Sequence, residues 1–78
     1  MSEEHDLLQL IEILTTAIEI HGNEEEFFRR SSTASTNGAA KSLLLGIADD
    51  LGRYRESLEE RRRELRDRLD RLEAARHP

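Results

Sequence analysis

Residues 31–38 read Ser31-Ser32-Thr33-Ala34-Ser35-Thr36-Asn37-Gly38. Every side chain in this stretch is small or polar, and its hydroxyl and amide groups favour bonds to their own backbone, the chemistry of a turn. On both sides the apolar residues recur with helical spacing, and no proline interrupts them before Pro78. The stretch therefore divides the chain into two helices, and so short a connection lays neighbouring helices antiparallel. The expected fold is all-α: one helical-hairpin domain over residues 1–78, with a first helix over about 4–30, a connection at 31–38 and a longer second helix over about 39–75.

Before the connection, apolar or bulky positions fall at Leu7, Leu10, Ile11, Leu14, Ala17, Ile18, His21, Glu25 and Phe28, a three-and-four spacing on one helical face. Ser2 is placed to cap this helix, and Glu3, Glu4 and Asp6 put negative charge where the helix dipole favours it. Gly22 costs about 1 kcal/mol relative to alanine, but Ile18 and Ile20 before it and Glu24, Glu25 and Glu26 after it carry the helix through. Arg29 and Arg30 suit its C-terminal end.

Beyond the connection, Thr36 or Asn37 can cap the second helix, whose apolar positions are Leu44, Ile47, Leu51, Tyr54, Leu58, Leu65, Leu69 and Leu72. Glu59 with Arg63, Glu64 with Arg68 and Asp67 with Arg71 stand four apart, acid first, as on a coiled-coil flank. At about 1.5 Å per residue the first helix spans roughly 40 Å and the second roughly 55 Å. The tail is thus expected to overhang, leaving Leu65, Leu69 and Leu72 to a partner that would dock along residues 58–75.

A chain of 78 residues buries only a modest share of its apolar surface alone, and the absence of cysteine removes disulfides and zinc–thiolate sites as staples. Oligomerisation is the remaining common remedy, so a homodimer or homotetramer is expected. Its four-helix core would hold Leu7, Ile11, Leu14, Ile18, Leu44, Ile47, Leu51, Tyr54 and Leu58. The net charge of −5 is concentrated in residues 1–38, which carry eight acids and two bases. Such a surface repels phosphate backbones and anionic lipid, which disfavours nucleic acid and membrane partners. No basic leader precedes an apolar run, and the expected compartment is the cytoplasm.

The run Ala17-Ile18-Glu19-Ile20-His21, followed by the pair Phe27-Phe28, resembles the first helix of rubrerythrin-like members of the ferritin-like superfamily, where the pattern reads A-I-E-I-E and then F-Y. Lys41, Leu43, Leu44, Ile47, Ala48, Asp49 and Asp50 are similar to that family's segment leading into a Glu-x-x-His motif. The resemblance covers roughly residues 10–60 and implies paired hairpins in a four-helix bundle around a dinuclear metal centre. By position, however, the first-helix ligand falls at His21 and the Glu-x-x-His at Leu51 and Tyr54, so none of the three ligands is kept. Sliding the second motif back one residue gives Asp50 and Arg53, a cation where a neutral imidazole would coordinate.

Two residues remain as candidate metal ligands, His21 and Glu25, one turn apart on the apolar face. Against that stand a hydrogen-bonded interface histidine and an ion pair between Glu25 and a base such as Lys41. Tyr54 reads as seam packing with its hydroxyl on a polar neighbour. Gly38-Ala39-Ala40-Lys41-Ser42 lacks the glycine and the preceding strand of a phosphate-binding loop. Arg61-Arg62-Arg63 is flanked by Glu59, Glu60 and Glu64 as on a solvated helix face, and His5 and His77 have no companion ligands. The leading functional expectation is a non-catalytic assembly or interaction module without a cofactor, resembling a metal-free ferritin-like hairpin. The alternative is a ferritin-like oxidoreductase or iron-handling protein that binds iron or another divalent metal at the dimer core.

Overall fold

A computed structural model describes residues 2–76; His77 lies outside them. The chain forms two helices, α1 (Glu3–Ala34) and α2 (Gly38–Arg76), packed antiparallel in a rod 61 × 16 × 14 Å. Ser2 accepts a bond from the His5 amide and caps α1. Asn37 caps α2, its side-chain oxygen accepting from the amides of Ala39 and Ala40 at 2.9 and 3.1 Å. Gly22 is helical, as its neighbours require.

The connection is shorter than expected, residues 35–37 only. Ser31 to Ala34 remain helical because their hydroxyls bond within the fold: Thr33 donates to the Arg29 carbonyl and Ser32 crosses to the Lys41 carbonyl at 3.2 Å. The final turn of α1 consequently carries no basic residue, and Arg29 and Arg30 lie a turn earlier than a C-terminal role needs.

The seam between the helices follows a heptad. On α1 it runs through Leu7, Ile11, Leu14, Ile18, His21, Glu25, Phe28 and Ser32; on α2 through Leu44, Ala48, Leu51, Arg55, Leu58, Arg62, Leu65, Leu69 and Leu72, all buried or half-buried. At the open end Leu7, Ile11 and Leu69 form a buried cluster flanked by Leu65 and Leu72. Glu3 pairs there with Arg68 and Glu4 with Arg76. The expected overhang is therefore absent: with α1 running on to Ala34 and a connection of only residues 35–37, Leu65, Leu69 and Leu72 come level with the start of α1 in the same chain.

Two positions expected in the bundle core flank the seam line between the two helices: Ile47 is half-buried and Tyr54 exposed, while the line itself holds Ala48, fully buried, and Arg55. Ala48 is small enough to be enclosed completely, and Arg55 meets the Glu25 carboxylate across the seam. The charged flank also differs: Arg63 pairs with Glu60 and Arg68 crosses to Glu3.

Candidate functional site

Midway along the seam the apolar sequence of layers gives way to a polar one. Glu25 enters from α1 with its side chain only 15% exposed. One of its carboxylate oxygens accepts from Arg55 Nε and a terminal Arg55 nitrogen at 3.2 and 3.1 Å, and the other accepts from Arg29 at 3.1 Å. Arg55 also donates to Glu59, and Arg29 spans to Asp49 at 3.2 Å, so the layer ties three turns of α2 to one of α1. The bond from Arg29, more than the contacts with Arg55, holds the Glu25 carboxyl below its usual range against the opposing pull of desolvation. The same contacts push both guanidinium groups further up.

Gly52 is the backbone half of this site. It is buried opposite Glu25, and a Cβ there would stand 2.7 Å from one carboxylate oxygen. Only a residue without a side chain lets the carboxylate lie against α2 while facing Arg55.

One turn from this layer, His21 meets Tyr54 edge to face, ring centroids 4.8 Å apart. His21 Nδ1 is enclosed and has no hydrogen-bond partner; a Glu24 oxygen lies 3.3 Å away but outside bonding alignment. Tyr54 is 55% exposed, so its ring lies over the flank of the seam rather than in it.

This geometry tests the two candidate metal ligands. His21 and Glu25 are adjacent, as their spacing requires, but Glu25 presents both oxygens to cations. A metal ion would have to displace Arg29 and Arg55 and would meet their charge. Among the described residues no three His, Asp or Glu side chains are placed to share an ion. The positions corresponding to the Glu-x-x-His motif hold half-buried Leu51 and exposed Tyr54, and the offset candidate Asp50 pairs with Arg53. The residues present do not fit the dinuclear centre that the resemblance implies.

The base expected opposite Glu25 was Lys41, which is exposed at the start of α2. Arg55 takes that role. Its signal was available in the sequence, since Arg55 stands seven residues after Ala48 and seven before Arg62 on one seam line. Of the arginine run, Arg61 and Arg63 are exposed, while Arg62 donates to Thr15 across the seam at 3.2 Å. Comparisons with family models, curated proteins and solved structures return no match to this chain.

Another set of residues missed by the seam reading lies outside it. Ile13, Ile20, Phe27, Leu43 and Tyr54 are each more than half exposed, and Leu10 nearly so. No described helix is long and apolar enough to cross a membrane.

Proposed function

We propose that the chain is a non-catalytic assembly module in which two hairpins pair into a four-helix bundle. One observation carries the reading: large apolar side chains stand exposed on both helices, while among the described residues the seam thoroughly buries only four apolar side chains, Leu7, Ile11, Ala48 and Leu69. A monomer that leaves so much apolar surface wet gives up stabilisation of about 25 cal/mol for each Å² that pairing would cover. The resemblance to rubrerythrin-like hairpins supports the same assembly, with the ligand positions given over to His21, Leu51 and Tyr54 and the polar centre closed by an ion-pair layer. In this reading Glu25, Arg29 and Arg55 set the register of the helices and do no chemistry.

The test is thermal unfolding followed by circular dichroism over a hundredfold range of protein concentration. Folding coupled to pairing raises the midpoint with concentration. A midpoint independent of concentration, in protein shown to be folded throughout, would remove the reading.

A further inference from the structure

The hairpin has two long edges, and they are unalike. Glu3, Leu10 and Ala17 recur by heptads along one edge of α1, and Tyr54, Arg61 and Arg68 along one edge of α2; the Glu3–Arg68 ion pair joins these lines on one side of the rod. On that side lie Leu10, Ile13, Ile20, Phe27, Leu43 and Tyr54, each at least 46% exposed. The other edge, marked by the Arg29–Asp49 pair and by Thr15 with Arg62, carries only Leu8 and Leu45 among the large exposed apolar residues, one near each end.

We propose that this apolar side is the pairing surface and that it takes a second copy of the chain in antiparallel orientation, the two connections at opposite ends of the bundle. The proposal rests on the four-helix reading and adds to it the face and the direction.

The stripe on α1 carries the argument. Leu10 and Phe27 are equidistant from the point between Ala17 and Ile20, so the apolar pattern repeats when read from either end except that Glu24 stands where Ile13 is mirrored. The contacts of Thr15 with Arg62 and of His21 with Tyr54 place that point level with α2 near Leu58. Tyr54 and Arg61 lie at closely similar distances on either side of that level.

Two such faces can meet about only two kinds of dyad lying in the contact plane. A dyad across the rod stacks each helix on its own copy, reversed. Leu10 then faces the partner's Phe27, Ala17 the partner's Ile20 and Ile13 the partner's Glu24, and Tyr54 comes beside the partner's Arg61, whose guanidinium suits its ring. A dyad along the rod stacks α1 on the other copy's α2 with both connections together. Leu10 then faces the partner's Arg68, Ile13 the partner's Glu64 and Phe27 the partner's Asp50. That sets charge against apolar surface at three levels, whereas the reversed arrangement does so on the α1 stripe at one, Ile13 against the partner's Glu24. A face 61 Å long and 16 Å wide outlines roughly 1,000 Å² per copy, enough for the roughly 800 Å² that each partner gives to a standard interface.

The test uses the lack of native cysteine. Thr36→Cys, in the exposed connection, is spin-labelled on the full chain, mass is measured by light scattering, and the distance between labels is measured by pulsed electron resonance. Thr36 lies about 26 Å from the proposed dyad, so a dimer should give about 50 Å, whereas the parallel arrangement gives less than about 20 Å. A dimer with the short distance overturns this proposal and leaves the four-helix reading standing; a monomer overturns both. In parallel, Ile20→Glu should halve the mass with helicity retained, while Leu8→Glu on the opposite edge should leave the dimer intact. The reverse result would assign pairing to the wrong face.

Discussion

Gly52→Ala is the most informative single substitution in the polar layer. In an exposed helix interior, replacing glycine by alanine stabilises by about 1 kcal/mol. Gly46 supplies that baseline, since it is helical and a Cβ there meets nothing within 4 Å. At Gly52 the new Cβ would stand 2.7 Å from a Glu25 oxygen and 3.3 Å from its carboxyl carbon. That oxygen, Oε2, accepts from Arg29, and swinging the carboxylate aside breaks this bond and disturbs those that Oε1 accepts from Arg55; a hydrogen bond to a charged group such as the latter is worth about 1.5–3 kcal/mol, with the lower end apt for this partly solvated pair. Gly46→Ala should therefore stabilise by about 1 kcal/mol, while Gly52→Ala should be neutral or destabilising by about 1 kcal/mol. Urea unfolding followed by circular dichroism, at one fixed protein concentration, measures both. In a Glu25→Ala background the obstacle is gone, and Gly52→Ala should recover the ordinary gain. If Gly52→Ala stabilises wild-type protein as much as Gly46→Ala does, the close approach of Glu25 to α2 is wrong.

Other outcomes follow from the same structure. Because the folded-state pKa of Glu25 lies below its unfolded value, its contribution is fully present above about pH 4.3 and is lost as pH falls through the folded value; urea midpoints measured down the acid range should fall less steeply for Glu25→Gln than for wild type. Leu69→Ala, at a side chain 1% exposed, should cost about 2–5 kcal/mol in the same assay. Asn37→Ala removes the acceptor for two amides at the start of α2 and should cost about 0.5–2 kcal/mol. Calorimetric titration with ferrous, manganous or zinc ion should show no stoichiometric binding that Glu25→Ala removes, because Arg29 and Arg55 already hold that carboxylate.

The two helices, their antiparallel packing and the cap at Ser2 were legible because periodicity and turn chemistry are local properties of the chain. Less legible was which of two neighbouring residues α2 would turn inward at its centre. Tyr54 is more apolar than Arg55, so hydrophobicity alone selects it, yet Tyr54 is exposed and Arg55 half-buried. The choice of Arg55 is made by Glu25, thirty residues earlier, through a pairing that no window along the sequence contains. The extent of α1 was underestimated because Ser31 to Ala34 have turn composition yet bond inward, Ser32 reaching the backbone of α2. That decision also removed the expected overhang. His21 and Glu25 stood out in the sequence as candidate ligands on an apolar face. Their neighbours decide their character: an exposed tyrosine ring beside one, two guanidinium groups around the other.

The apolar side of the hairpin was hidden for a related reason. Leu10 and Ala17 fit the same three-and-four spacing as the seam, so one broad apolar face in the sequence proves to be two adjacent faces, only one of which the chain covers itself. The central claim is that a second copy covers the other. Light scattering on untagged protein tests it most directly: with a chain of 9.0 kDa, the account requires a particle of about 18 kDa that Ile20→Glu reduces to half. A folded, fully helical particle of 9.0 kDa across the accessible concentration range would contradict it.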